Sequence, residues 1–341
     1  MPIALDATYS LGDHLTGVGV YSHELLHGLA ASDLAGKWEW FYRSQRYWRA
    51  LAAHLPSNVE CRFLAESIGS RAAPLFHGLN QRLPHRRFRR QIATFHDLFV
   101  LSAEYSTPEF RDRFASQARH AAENSDLIIA VSAFTADQIH ELLKVPRNRI
   151  RVVHHGVNVP EFPPLPREKI VLCVGAIQKR KNQLGLVYAF AAMPEDWTLV
   201  LAGSQGYDAA ETLQAIDRSP ARNRIQVTGY LPNSELAAWY GRAGIFAFPS
   251  LDEGFGMPIL DAMSAGIPVV TSNRASLPEV AGDAAILVDP TRTTDLAEAL
   301  RTLADDRTAR EDLIVKGKEH ARKFSWAKAV EETLKVYREL L

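Results

Sequence analysis

The chain has 341 residues, 47% hydrophobic and 23% charged, an ordinary balance for a folded protein and enough length for two domains rather than one core. Lysine plus arginine equals aspartate plus glutamate at 39 each, so no global field draws in nucleic acid and a polyanion must find a local patch. The two cysteines, Cys61 and Cys173, stand far apart with no metal-ligand spacing, residues 1–6 show no signal-peptide pattern, and the apolar runs are strand-sized, so a cytoplasmic location is expected.

Residues 3–7 read as a first strand. Thr16-Gly17-Val18-Gly19-Val20-Tyr21 then leads into a helix over 20–30, and its glycine pair permits a turn or a close backbone approach. His85-Arg86-Arg87-Phe88-Arg89-Arg90 follows, with Leu83 and Phe88 interleaved. Four arginines beside an aromatic suit anionic lipid headgroups or a diphosphate-linked ligand, or else form a solvated loop. A strand at 92–95 ends before His96 and Asp97. A histidine at a strand end can donate to a sugar or phosphate oxygen, and Asp97 can orient it or cap a turn. Another strand is expected at 127–131. Four prolines in the seven residues 160–166 cannot continue a helix or a central strand, so 159–166 reads as a semi-rigid linker.

Beyond the linker, apolar runs at 170–174, 198–202, 224–227, 245–248, 268–271 and 285–288 alternate with helical stretches such as 233–243 and 258–265. Near-continuous apolarity predicts strands covered on both faces, and the βαβ rhythm predicts an α/β fold with a Rossmann-like parallel sheet. Val174-Gly175-Ala176-Ile177-Gln178-Lys179-Arg180-Lys181-Asn182 sits at a strand's carboxyl end. Arg180 and Lys181 there can neutralise a diphosphate leaving group, unless the run is a solvated basic loop. The segment from Pro249 to Met263 follows a buried strand and enters a helix. Gly254 and Gly256 let the backbone approach a ligand around Phe255 and Met257, and Pro258 suits the first helical position. Free N–H groups at that start form an anion site. Glu253 would repel phosphate and makes better sense reaching neutral hydroxyls. Asp261, about one turn inside, either stabilises the helix dipole or holds two ribose hydroxyls. At 325–341, Ser325 can cap a helix whose stripe is Trp326, Val330, Leu334, Tyr337 and Leu341.

Taken together, Thr16 to Tyr21, His96-Asp97-Leu98, Val131-Ser132, His155-Gly156-Val157, Gly175 with Arg180-Lys181-Asn182, Val227 to Pro232, Pro249-Ser250, Glu253-Gly254-Phe255-Gly256, Ala265 to Val270, Ser276 to Val280 and Asp289-Pro290 are collinear with one family. The chain resembles the retaining glycosyltransferases of family 4, in their bacterial mannosyl- and rhamnosyltransferase-like branch.

That resemblance implies a GT-B fold, two Rossmann-like parallel-sheet domains facing a central cleft with the C-terminal helix crossing back to the first. The expected domains are 1–160, acceptor-binding and completed by 326–341, and 167–324, donor-binding. It implies that Arg180 and Lys181 bind the diphosphate and that Glu253 contacts the donor sugar. Gly175, Gly254, Phe255, Gly256, Met257, Pro258 and Asp261 would line the donor, with Gly229, Tyr230 and Leu231 near the base. Gly17, Gly19 and His96 would lie near the phosphate and the transferred sugar. No metal or other cofactor is expected, and the leaving phosphate itself helps to deprotonate the acceptor. The family has a second glutamate where this chain has Asp261, which shortens the reach to the ribose. The expected reaction moves a hexose, mannose from GDP-mannose, onto a glycan or lipid-linked saccharide of a cell-surface polysaccharide. A rhamnosyl or UDP-hexose donor and a non-catalytic nucleotide-sugar-binding partner are the alternatives. Arg86, Arg87, Arg89 and Arg90 would contact the acceptor or an anionic membrane, with no nucleic-acid partner.

Overall fold

The computed structural model describes residues 2–12, 15, 17–32, 37–65, 73–157 and 166–341. They fall into two compact units, one of Met1–Gly156 with Ser325–Leu341 and the other of Val157–Phe324. Thr16 and residues 159–165 of the expected linker lie outside the described residues.

The first unit holds β1 (Ile3–Asp6), β2 (Trp38–Tyr42), β3 (Val59–Phe63), β4 (Leu75–Gly78), β5 (Arg90–Phe95), β6 (Leu127–Ala130) and β7 (Ile150–Val152) in the order β3-β2-β1-β4-β5-β6-β7. Every pair is parallel, with Ile3 opposite Trp38 on one side and Leu75 on the other. β1, β2, β4 and β6 are buried along their whole lengths, as strands covered on both faces must be. The second unit holds β8 (Ile170–Val174), β9 (Thr198–Ala202), β10 (Ile225–Gly229), β11 (Ile245–Phe248), β12 (Val269–Ser272) and β13 (Ala285–Val288). Their order is β10-β9-β8-β11-β12-β13, again parallel throughout.

Local chemistry fixes the helix ends. Thr107 accepts a hydrogen bond from Phe110 N to start Pro108–Asn124, and Ser132 accepts one from Thr135 N to start Ala133–Leu143. The helix Gly17–Ala30 begins three residues before the expected 20, so Gly17 and Gly19 form its first turn rather than a preceding loop. Leu83 and Phe88 are core residues, Phe88 stacking on Phe76 at 4.5 Å between centroids, so no aromatic projects from the arginine cluster.

The helix Trp326–Arg338 belongs to the first unit. Ser325 accepts from Lys328 N, and Val330, Leu334 and Tyr337 are buried in that unit's core, whereas Leu341 is exposed. A Cβ on Gly28 would come within 2.5 Å of Val330 Cγ2, so the glycine lets this helix seat against Gly17–Ala30. Arg151, on β7, grips both carboxylate oxygens of Glu339 at 2.9 and 2.6 Å. No described helix is long and apolar enough to cross a membrane.

Candidate functional site

In the second unit the chain winds outward from β8 in one direction and from β11 in the other, so the loops leaving these two neighbours diverge at the sheet's carboxyl edge. Ligands of open α/β sheets bind at such a switch point. Gly175 leaves β8 at φ 136°, and a 3-10 turn, Lys179–Lys181, follows. The Arg180 carbonyl accepts from Leu251 N at 2.8 Å, tying this turn to the loop after β11. Asn182, left-handed at φ 54°, accepts from Gly185 N to cap the helix Gln183–Phe190. Its amide donates to the carbonyls of Pro249 at 3.2 Å and Pro290 at 2.7 Å, so one side chain stitches the loops after β8, β11 and β13. The Ser276 hydroxyl, 2.8 Å from Glu253 O and 3.0 Å from Phe255 O, anchors the glycine loop.

These anchors bring Arg180, Lys181 and Glu253 together. Arg180 Nη1 is 2.8 Å from one carboxylate oxygen of Glu253 and Lys181 Nζ is 2.5 Å from the other. Only 9% of the Arg180 and Glu253 side chains and 13% of Lys181 is exposed, which keeps solvent screening weak. Burial alone would raise the Glu253 pKa, yet the two cations hold it down to about 2. For Lys181 burial lowers the pKa, opposed by Glu253. Lys181 Nζ also lies 4.7 Å from the centroid of Phe248, on β11. The basic run is therefore a built cluster rather than a solvated loop, although Lys179 points outward.

Beside this cluster the helix Met257–Ser264 starts from Gly256 at φ 99°, with no side chain capping it. Pro258 has no N–H and Ile259 N donates to Gly256 O at 3.0 Å, so Met257 N is the helical N–H at this start left for water or an anion. Met257 takes the first helical position and Pro258 the second, one later than expected, because Gly256 adopts the left-handed turn. Phe255 is buried against Phe324 at 5.9 Å, so it holds the loop from beneath. Asp261 is half-buried, and its carboxylate has no hydrogen-bond partner among the described residues. Burial raises its pKa to about 7. Gly203 supplies a constraint that sequence reasoning missed. A Cβ there would sit 2.1 Å from Gly175 O, so only glycine lets the loops after β8 and β9 meet. Gly229 ends β10 at φ 74°, with Tyr230 exposed and Leu231 half-buried beyond it.

The first unit gathers a different set. His96 follows β5, and its Nε2 lies 2.9 Å from Leu79 O. A carbonyl only accepts, so Nε2 carries the proton and Nδ1 is left as an acceptor. Burial lowers the His96 pKa to about 4, keeping the ring neutral. The expected donor to an oxygen is thus an acceptor for a hydroxyl. The Tyr21 ring meets His96 edge-on at 4.7 Å, and His155 stacks on it at 5.4 Å. His155 was visible in sequence only as part of His155-Gly156-Val157. Gly19 matters for space, not φ, since a Cβ would lie 3.1 Å from Tyr9 O. The arginines are not part of this edge. Arg90 opens β5 and His96 follows its far end, about 20 Å away at the usual rise per residue. Arg87 and Arg90 share Asp126, at 3.6 and 3.1 Å.

Two Rossmann-like parallel-sheet units of this kind define the GT-B class of glycosyltransferases. Residues 15–161 match the family model described as Glycosyltransferase Family 4, and residues 159–320 match that of Glycosyl transferases group 1. The chain is 33% identical to the O-antigen chain mannosyltransferase B of Escherichia coli, over 77% of this chain and 74% of that protein. The chain belongs to the group 1 glycosyltransferases. In fold it is similar to a sucrose-phosphate synthase from Thermosynechococcus elongatus, with a TM-score of 0.79 at 23% identity, covering 99% of this chain and 98% of that one. HepE from Anabaena, solved in complex with UDP and glucose, gives a TM-score of 0.76 at 17% identity, with 99% of each chain covered.

Proposed function

We propose that this glycosyltransferase is a retaining hexosyltransferase that moves mannose from GDP-mannose to a glycan or lipid-linked saccharide during cell-surface polysaccharide synthesis. The observation that carries the reading is the buried Arg180–Lys181–Glu253 cluster beside an uncapped helix start at a sheet switch point. Two cations sharing one carboxylate leave a net positive charge for a pyrophosphate, and preorganised charge of this kind stabilises a leaving group without reorganising. They do the work that a metal ion would otherwise do, so turnover is expected to survive a chelator. Glu253 then serves as an acceptor for sugar hydroxyls in the second unit, and the neutral His96 Nδ1 is proposed as a hydroxyl acceptor in the first. Mannose is chosen on kinship, because the E. coli relative is a mannosyltransferase. The test is thermal stabilisation across GDP-mannose, GDP- and dTDP-rhamnose, UDP-hexoses and the free nucleotides, followed by turnover with chelator present. Selective stabilisation by a UDP-sugar would replace the donor. Stabilisation by none of them, or binding without transfer to any saccharide acceptor, would overturn the enzyme reading.

Asp261 is proposed to hold the ribose as a carboxylate. With its pKa raised to about 7, donor affinity should rise as pH climbs through neutrality, and Asp261→Asn should flatten that dependence. The same shift has an opposite sign for stability. A carboxyl whose folded pKa exceeds its unfolded 3.8 destabilises the fold progressively from about pH 4 to 7. Asp261→Glu is expected to keep nucleotide binding, and a large loss would mean that the pocket is built around the shorter acid.

The proposed working place is the inner face of the plasma membrane, reached through Arg86, Arg87, Arg89 and Arg90. With Phe88 in the core, attachment is purely electrostatic, worth about 1 kcal/mol per arginine near an anionic surface. Co-sedimentation with phosphatidylglycerol vesicles should vanish at high salt or when the four are neutralised. Binding indifferent to both would rule out this contact.

A further inference from the structure

Four side chains from four elements of the first unit form one buried polar chain. The Tyr337 hydroxyl lies 2.6 Å from Nδ1 of His77, and His77 Nε2 lies 2.8 Å from Oγ1 of Thr94. Thr94 Oγ1 in turn lies 3.0 Å from the Tyr21 hydroxyl. None of the four is more than 1% exposed. Polar groups this deep are costly unless bonded to one another, and an apolar set would fill the same space without that condition. Burial drops the His77 pKa to about 3, so the ring stays neutral, with one nitrogen donating and the other accepting. His77 therefore reads both neighbours at once.

The chain ends against the candidate site. Thr94 stands two residues before His96 on the same strand end. Tyr21 presses its ring on His96 at 4.7 Å and on His155 at 4.8 Å. Among the described residues His96 has a single hydrogen bond, to Leu79 O, which fixes one point of the ring and leaves rotation about that axis. Tyr21, edge-on, and the stacked His155, themselves 4.8 Å apart, pack against neighbouring parts of the ring and restrict that rotation. At the opposite end, Tyr337 rides on the helix Trp326–Arg338, whose Trp326 also touches Tyr21 and His155 at 6.2 and 6.0 Å. The helix does not need the hydroxyl to seat, since Val330, Leu334 and the Arg151–Glu339 pair already hold it.

We propose that Tyr337, His77, Thr94 and Tyr21 are positioning residues, a hydrogen-bonded chain whose hydroxyl and imidazole links, rather than the packing of the helix Trp326–Arg338, set the orientation of His96 and hence turnover. The link to turnover rests on the reading of His96 as a sugar contact; the link to orientation does not.

Tyr337→Phe and Thr94→Val each delete one link at constant shape, and Thr94→Ser keeps the hydroxyl. Leu334→Ala loosens the helix without touching the chain. Each is read by kcat and donor KM, and by the imidazole nitrogen signals of histidine-labelled protein, with His96 assigned from His96→Asn. Tyr337→Phe and Thr94→Val should lower kcat on the order of tenfold while donor KM moves less than about twofold, and should shift the His96 signals. Thr94→Ser should restore both, and Leu334→Ala should lower the melting temperature with the His96 signals in place. Unchanged kcat and unchanged signals in Tyr337→Phe and Thr94→Val would overturn the proposal, as would a Leu334→Ala spectrum shifted in the same way. If the wild type turns over no nucleotide sugar, the glycosyl reading falls, while the imidazole signals still decide the chain.

Discussion

Glu253→Ala is expected to lower transfer by on the order of 10³-fold and to lower the melting temperature by roughly 10 °C. Both effects come from one carboxylate. It neutralises Arg180 and Lys181 in a place where barely a tenth of each side chain meets solvent. Without it two like charges face each other in a poorly screened pocket, and breaking a buried pair in this way costs about 3–5 kcal/mol. Lys181 then loses the partner that opposes burial, and its pKa falls further. Initial rates and thermal melts of the purified variant check both halves. Normal turnover would remove Glu253 from the site, and an unchanged melt would deny its pairing. The pH dependence has a fixed sign. With its folded pKa held to about 2, below the unfolded 4.5, Glu253 contributes its full stabilisation above about pH 4.5. That advantage over Glu253→Gln is lost as pH falls toward 2.

Lys181→Ala separates the chemistry from the fold. It leaves the 2.8 Å Arg180–Glu253 pair in place, so the melting temperature should change by only a few degrees. Transfer should still fall about 10²–10³-fold, the usual loss for one preorganised donor to a developing charge. The lysine stem runs beside Gly175, with Cε 3.6 Å from where a Cβ would be, so its removal opens space there and takes one donor from Glu253 while Arg180 still balances the carboxylate. Stabilisation by the free nucleoside diphosphate should weaken in parallel. The double variant Lys181→Ala/Glu253→Ala should melt higher than Glu253→Ala alone, because one of the two stranded cations is gone. A double variant less stable than either single would contradict the shared-carboxylate geometry.

Why one half was more legible than the other has a physical cause. In the second unit β8, β9 and β11 appear in sequence as near-continuous apolar runs because they are buried almost throughout, whereas the edge strands β10 and β13 are partly exposed. In the first unit β2 reads Trp-Glu-Trp-Phe-Tyr and β4 reads Leu-Phe-His-Gly, with polar residues that are nonetheless buried. Local hydropathy cannot signal such strands, since Glu39 and His77 find partners only through tertiary contacts. The shortest strands, such as β7, fall below any periodicity at all. At the site, Arg180, Lys181 and Glu253 stood out by type and spacing, but their pairing, across 72 residues for Lys181 and Glu253, is invisible locally. Phe88 misled for the converse reason. Flanked by arginines it looks like a surface aromatic, yet the fold turns it inward onto Phe76.

The first unit is discontinuous, because residues 325–341 complete a core begun by residues 1–156. During synthesis, Tyr21, Leu25 and Leu29 must wait for Val330, Leu334 and Tyr337 until the whole second unit has been made, a delay of roughly ten to thirty seconds at ordinary elongation rates. Over that interval a greasy groove lies open and in need of a chaperone's protection. A ribosome that stalls within residues 157–324 therefore releases a sticky, half-finished nascent chain rather than a spare folded module.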